Sequence, residues 1–422
     1  MKVSKKTLSN GLRVITVPMK DNPTVTVLVL VSVGSKYEEK RINGISHFLE
    51  HMCFKGTTKR PRSIDISKEL DSIGSSYNAF TSYEYTGYYA KSTEKHFSKI
   101  FEIISDIYLN STLPEKEIQK EKGVILEEIN MYKDMPHRFI DDLFTKLLYG
   151  DTPVGRNILG KKETVLGLKR EDLMKYKLTH YVPEKTVIVV AGPVKEKKIL
   201  IEVKKSFGNI ILKNNSKKEK VKEIQKKPGI LLEYKKTDQT HLVLGFRTFG
   251  LFDKRNTTVS VLSSILSGGM SSRLFEKLRE EMGVGYYLNA MNNPFTDHGF
   301  FSISTGVDTK RVEEVITVLL EECKKIKSSL VAAEELKRAK EILIANMKFA
   351  LESTDDVANY YGGQELLKRE MLSPNERIKK IKAVTALDIQ KIARQIFTEE
   401  KLNLAMIGPF KKPEKFLKFL KF

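Results

Sequence analysis

The 422-residue chain has few of the residues that cross-link a protein or carry it through a membrane. Its only cysteines are Cys53 and Cys323. Two thiols cannot build a disulfide framework, so an oxidising compartment has no support. Long apolar runs are missing as well. The longest strongly apolar stretch, residues 24–33, is far too short for a bilayer and, rich in β-branched residues, reads as a buried strand. The opening MKVSKKTLSNGLRVITV lacks the apolar core and small-residue cleavage site of a secretory signal. A cytoplasmic protein with no membrane partner is therefore expected. Tryptophan is absent and histidine is scarce, with seven residues in all, yet two of them, His47 and His51, stand four apart.

What is present is ordinary for a folded protein: 41% apolar and 30% charged residues, with 21 Phe and 16 Tyr. This excludes a disordered chain. The 73 basic against 53 acidic residues give a net charge of +20. Only 16 of the basic residues are Arg, and the lysines run from Lys2 to Lys421. A nucleic-acid groove would concentrate Arg and aromatics in one stretch, so no specific nucleic-acid partner is expected and the charge reads as a solvated surface.

The segment 213–227, KNNSKKEKVKEIQKK, is polar and without apolar periodicity, which marks a linker. The two sides of it are alike. GLRVITVPMKDNPTVTVLVLVSVG at Gly11 resembles GILLEYKKTDQTHLVLGFRTFG at Gly229, and EIQKEKGVILEEINM at Glu117 resembles ELKRAKEILIANMKF at Glu335, both at an offset of 218. The pattern predicts two homologous α+β domains: 1–212, a linker at 213–228, and 229–422. Each is expected to hold a mixed, mostly antiparallel sheet with helices on one face, including late strands at 186–191 and 402–407.

The sharpest local pattern is INGISHFLEHMCFKGT. Ile45, Phe48, Leu49 and Met52 follow helical spacing and form an apolar stripe. His47 and His51, at i and i+4, project together, so two imidazoles can converge on one metal ion with Glu50 beside them. His-x-x-Glu-His is an inverted zinc-protease signature. A catalytic zinc needs a third ligand, usually a carboxylate. The helix expected at 117–131 sets Glu121, Val124, Ile125 and Glu128 on one face, and two carboxylates in an apolar stripe are costly unless a cation compensates them. Glu127 points elsewhere. At the offset of 218 these carboxylates become Ala339 and Asn346, and His47, Glu50 and His51 become Ile265, Gly268 and Gly269. The second domain is thus expected to keep the helices without the metal chemistry. Cys53 falls on a different helix face from the histidines and reads as packed, while His137 and Arg156 carry no assigned role.

From about residue 8 to 409 the chain closely resembles the inverzincin metallopeptidases that include pitrilysin, insulin-degrading enzyme and the mitochondrial processing peptidase. The resemblance rests on GISHFLEHMCFKGT, ELDSIGSSYNAFTSYEYTGYY, the Glu121/Glu128 pair and LREEMGVGYY. It implies one zinc per chain held by His47, His51 and Glu128, with Glu121 behind a ligating histidine. It also implies a peptide strand paired along Asn78, Ala79, Phe80 and Thr81, and substrate contacts from Arg279 and Tyr286.

The activity so expected is a zinc endopeptidase acting on peptides or unfolded segments, with Glu50 as general base. Longer members of the family carry two domain pairs and this chain carries one. A homodimer closing around a chamber is therefore expected, with a related subunit as the other possible partner. A processing peptidase with a single protein client and a non-catalytic scaffold subunit are the alternatives.

Overall fold

The computed structural model describes residues 3–211 and 217–422. Residues 213–216 of the expected linker lie outside the described residues. Two compact units emerge, and neither is a simple half of the chain. The first comprises the described residues of Met1–Asn130, Arg156–Glu219 and Ala350–Met371; the second comprises Met131–Gly155, Lys220–Phe349 and Leu372–Phe422.

The first unit is built on a six-stranded sheet: β1 (Ser4–Thr7), β2 (Arg13–Pro18), β3 (Thr24–Val31), β4 (Ser76–Thr81), β5 (Thr86–Thr93) and β6 (Thr186–Gly192), in the order β1-β2-β6-β3-β5-β4. The late strand β6 enters the middle of the sheet, parallel to β2 and antiparallel to β3. β3 is the apolar stretch seen in the sequence, and Val25 to Val31 are all buried. Such a run, without polar alternation, belongs to a strand covered on both faces.

The second unit repeats the plan with β7 (Gly229–Tyr234), β8 (Gln239–Arg247), β9 (Tyr287–Pro294), β10 (Gly299–Asp308) and β11 (Leu402–Gly408), in the order β7-β11-β8-β10-β9. Again the late strand is central, parallel to its neighbour on one side and antiparallel on the other. The mixed, mostly antiparallel α+β architecture read from the sequence is borne out.

Each sheet carries helices of its own half of the sequence on one face, and a helix from the other half covers the opposite face. In the first unit, Phe97–Asn110 packs on β3 and β5. The opposite face, with Leu28, Leu30, Val187 and Val189, packs against Val357, Ala358 and Tyr361 of the helix Thr354–Lys368. That helix contains Gly362, where a Cβ would come within 2.7 Å of Leu30 Cδ1, so the residue is one that lets helix and sheet approach closely. Polar contacts fix its register. Arg13 Nη1 donates to Glu365 O (3.0 Å) and pairs with Glu365 Oε1 (3.4 Å), and Lys5 Nζ meets Glu365 Oε2 at 3.1 Å. In the second unit, Ile140, Leu143 and Phe144 of the helix Pro136–Tyr149 cover Val243, Ala405 and Ile407.

Candidate metal centre

The helix Ile45–Cys53 carries the His-x-x-Glu-His motif. The sequence suggests an amphipathic helix, but eight of its nine residues are buried, His51 being the exception, so it runs through the interior. Its start is fixed in two ways. Gly44 takes φ +99°, and a Cβ there would lie 2.7 Å from Leu159 O. The buried Glu38 carboxylate then accepts from the Gly44 amide (2.8 Å), the Ser46 amide (2.9 Å) and Asn43 Nδ2 (3.0 Å). These bonds satisfy helix N–H groups that would otherwise be orphaned, and they set a carboxylate against the positive end of the helix dipole. Burial pushes the Glu38 pKa up, and the same hydrogen bonds oppose that shift.

The two imidazoles turn toward each other, with His47 Nε2 and His51 Nε2 3.1 Å apart. The helix Glu115–Asp134 brings Glu128 Oε2 to 3.6 Å from each of them. One ligand atom from each of His47, His51 and Glu128 lies within 4.8 Å of the others, and among the described residues no other group of three His, Cys, Asp or Glu side chains meets that condition. Glu121 stands behind, its Oε1 2.8 Å from His51 Nδ1 and its Oε2 2.7 Å from Lys55 Nζ. With Nδ1–H assigned as the donor to Glu121, the His51 lone pair sits on Nε2, facing the other two groups.

The electrostatics favour a cation. Burial, and then the charge of His51, depress the His47 pKa to about 3, so its imidazole is neutral at physiological pH. His47 Nδ1 is buried with no hydrogen-bond partner among the described residues. Burial also works against charging His51, but the Glu121 hydrogen bond and three nearby carboxylates raise its pKa overall. Burial, then the charge of Glu121, pushes Glu128 up despite His51. Two imidazole nitrogens in contact beside a carboxylate that resists ionisation form a poor arrangement alone and a suitable one around a divalent ion. The His2Glu donor set matches catalytic zinc sites, which leave a fourth position for water.

Glu50 is buried and is not one of the three convergent groups. Thr81 Oγ1 donates to its Oε2 at 2.7 Å. Burial raises its pKa, while the Thr81 hydrogen bond and His51 oppose the rise. Thr81 ends β4, which also carries Asn78, Ala79 and Phe80 and, among the described residues, is paired on one side only, with β5. Asn78 Oδ1 accepts from the Ala79 amide at 2.8 Å.

Arg279 and Tyr286 belong to the second unit. Arg279 lies in a π-helical turn, Glu276–Glu281, with its guanidinium carbon 5.4 Å from the centre of the Phe275 ring. Tyr286 is 62% exposed, and its amide donates to Gly306 O.

Several neighbours fall where the sequence suggests. Glu127 is exposed, and Cys53 is packed, its Sγ 3.7 Å from Ser111 Oγ. Val124, expected on the apolar stripe with Glu121 and Glu128, is instead 50% exposed; the buried face runs through Ile118, Glu121, Lys122, Ile125 and Ile129. Arg156 is buried and donates to Glu38 O (3.2 Å), which supports the approach to the motif helix. The positions equivalent to His47 and Glu121, Ile265 and Ala339, lie in the apolar core of the second unit. Sequence reasoning passed over Glu38 and Lys55. Lys55 stands four residues after His51 and so continues the histidine face; that spacing was the available signal. Glu38 caps from outside the helix and left none.

Among the described residues only the first unit carries convergent metal-binding donors, while the second repeats its mixed sheet without them. A family model described as Insulinase (Peptidase family M16) matches residues 13–162, and one described as Peptidase M16 inactive domain matches residues 167–343. The chain is 36% identical over 411 residues to the Bacillus subtilis protein named "Uncharacterized zinc protease YmxG", covering 96% of this chain and 98% of that one. It is 32% identical over 419 residues to an uncharacterized zinc protease of Streptomyces coelicolor, covering 97% and 90%. Among solved structures, a protease from Helicobacter pylori superposes with a TM-score of 0.88 at 25% identity, over 97% of this chain and 99% of that one. A Pseudomonas fluorescens structure described as a peptidase M16 inactive domain has the same TM-score at 17% identity, over 97% and 98%, and shows the fold. The chain belongs to peptidase family M16.

Proposed function

We propose that this chain is a zinc-dependent endopeptidase of the inverzincin type. The observation that carries the reading is the convergence of His47 Nε2, His51 Nε2 and Glu128 Oε2, with Glu50 on the same helix. Those three residues would hold one zinc ion per chain, which when bound supplies Lewis-acid polarisation of the scissile carbonyl and acidifies water. Glu50 accepts the proton of the attacking water and passes it to the leaving amine. Its raised pKa suits that exchange, because a base nearer neutrality also becomes a usable acid. The free edge of β4 offers main-chain groups to an extended peptide, and Thr81 ties the end of that edge to Glu50. Arg279 and Tyr286 would contact substrate carbonyls near the scissile bond, where a guanidinium and a phenol can stabilise a developing oxyanion.

The reading extends to a homodimer enclosing a chamber, the first domain of one subunit facing the second domain of the other, with peptides and unfolded segments as substrates. A reducing compartment, the cytoplasm, suits two buried free thiols. No helix among the described residues is long and apolar enough to cross a membrane. Digestion of a mixed peptide library tests the activity. Broad chelator-sensitive cleavage supports the endopeptidase; a single product points to a processing enzyme with one client, and no cleavage to a scaffold subunit. Mixing inactive His47→Ala and Arg279→Ala subunits tests the dimer: partial recovery of cleavage supports it, and a mixture as inactive as its parents removes it.

A further inference from the structure

Glu121 is a carboxylate with two assignments. Its side chain is only 5% exposed, and its two oxygens go to different partners: Oε1 to His51 Nδ1 at 2.8 Å and Oε2 to Lys55 Nζ at 2.7 Å. A buried carboxylate held by one imidazole alone would be costly, and its head could turn to present either oxygen. A cation on the second oxygen removes both problems. Lys55 is well placed to be that cation. It follows the last turn of the motif helix, and its side chain is 24% exposed.

The backbone from which Lys55 extends is firmly held. Gly56 takes φ +134°, and a Cβ there would lie 2.4 Å from Pro61 O. The Thr57 amide donates to Arg60 O (2.7 Å) and Thr57 Oγ1 to Asp106 Oδ2 (2.6 Å). Arg60, itself buried, pairs with Asp106 at 2.7 Å, Glu102 at 2.5 Å and Glu69 at 2.8 Å. The Thr112 amide closes on Gly56 O at 3.0 Å. A loop anchored to two helices, Ser63–Asp71 and Phe97–Asn110, gives a lysine a fixed origin, so its ammonium reaches a defined point instead of sampling solvent.

We infer that Lys55 is a positioning residue of the metal centre: it holds Glu121 Oε2 so that Oε1 stays on His51 Nδ1 and His51 Nε2 stays aimed at His47 and Glu128. The inference rests on the metal reading proposed above and goes beyond it, since Lys55 touches neither metal nor substrate. Groups that orient a metal-bound histidine from behind change affinity about 10- to 100-fold when removed.

The test is zinc affinity, measured by competition with a chromogenic chelator, together with melting of the metal-free protein. Lys55→Met is expected to weaken zinc binding at least about tenfold, beyond the modest fall in metal-free melting temperature that leaving Glu121 without its cation brings. In a Glu121→Ala background the same substitution is expected to change affinity less than about twofold, because Lys55 acts through Glu121. His47→Ala is the control and is expected to abolish stoichiometric binding. If Lys55→Met binds zinc like the parent while His47→Ala does not, the inference is overturned and the metal reading stands. If Lys55→Met weakens binding equally with Glu121 absent, its role is structural and the inference is likewise overturned. If His47→Ala retains zinc, the metal reading itself fails.

Discussion

Thr81 Oγ1 donates a 2.7 Å hydrogen bond to Glu50 Oε2, linking the last residue of an edge strand to the carboxylate between two motif histidines. The bond favours the ionised carboxylate, whereas burial favours the protonated one, and burial prevails. Removing the donor must therefore move the Glu50 pKa further upward. Thr81→Val is expected to shift the acidic limb of the kcat/KM–pH profile to higher pH, because a hydrogen bond that favours the charged form is lost. Below that limb the variant is less active than the parent, and above it the two converge. The measurement is a pH profile at constant ionic strength; an unmoved limb contradicts the pairing.

Glu50 is assigned to proton transfer and not to metal binding. Glu50→Gln is expected to keep stoichiometric zinc and peptide binding while kcat falls by about 10²- to 10⁴-fold. Metal analysis with single-turnover assays checks this, and full turnover in the variant contradicts it.

Adjacent glutamates on the helix Glu115–Asp134 should behave oppositely. Glu128 faces both histidines, whereas Glu127 is exposed. Glu128→Gln is expected to release zinc, and Glu127→Gln to leave zinc content and activity as they were. Equal zinc loss in both would remove the ligand assignment.

The helix Thr354–Lys368 is held to the first sheet by a buried charge. Arg13 and Glu365 are 6% and 1% exposed at their side chains, whereas Lys5 is 39% exposed. Glu365→Ala leaves Arg13 buried without its carboxylate, at a cost of about 3–5 kcal/mol. Lys5→Ala removes only the outer partner and should cost no more than about 1 kcal/mol. Denaturant unfolding of the two variants separates the values; equal effects would contradict the buried pairing.

The parts of this structure that were legible in the sequence are those written in local spacing. His47 and His51 at i and i+4 announced a shared helix face. β3 announced itself by an unbroken apolar run, and the offset of 218 announced the second sheet and the replacement of His47, His51 and Glu128 by Ile265, Gly269 and Asn346. What stayed hidden depends on contacts between distant segments. Periodicity says that Pro136–Tyr149 and Thr354–Lys368 are helices, but not that each covers the sheet of the other half, because an apolar face does not name its partner. For the same reason Val124 was placed on the buried stripe: the helical wheel offers it, and the true face is turned toward Ile118 and Lys122. Glu38 reaches the motif helix across a turn and leaves no periodic trace, whereas Lys55 continues the histidine spacing but its partner Glu121, 66 residues further on, is not named by that spacing.

The central claim is that His47, His51 and Glu128 hold the zinc on which peptide cleavage depends. The most direct measurement is zinc content per chain and peptide-library cleavage, taken together on the parent and on His47→Ala, before and after chelation and zinc return. One zinc per parent chain, cleavage lost on chelation and restored by zinc, and neither metal nor cleavage in His47→Ala is the predicted result. Cleavage that survives in metal-free protein, or in His47→Ala, would contradict it.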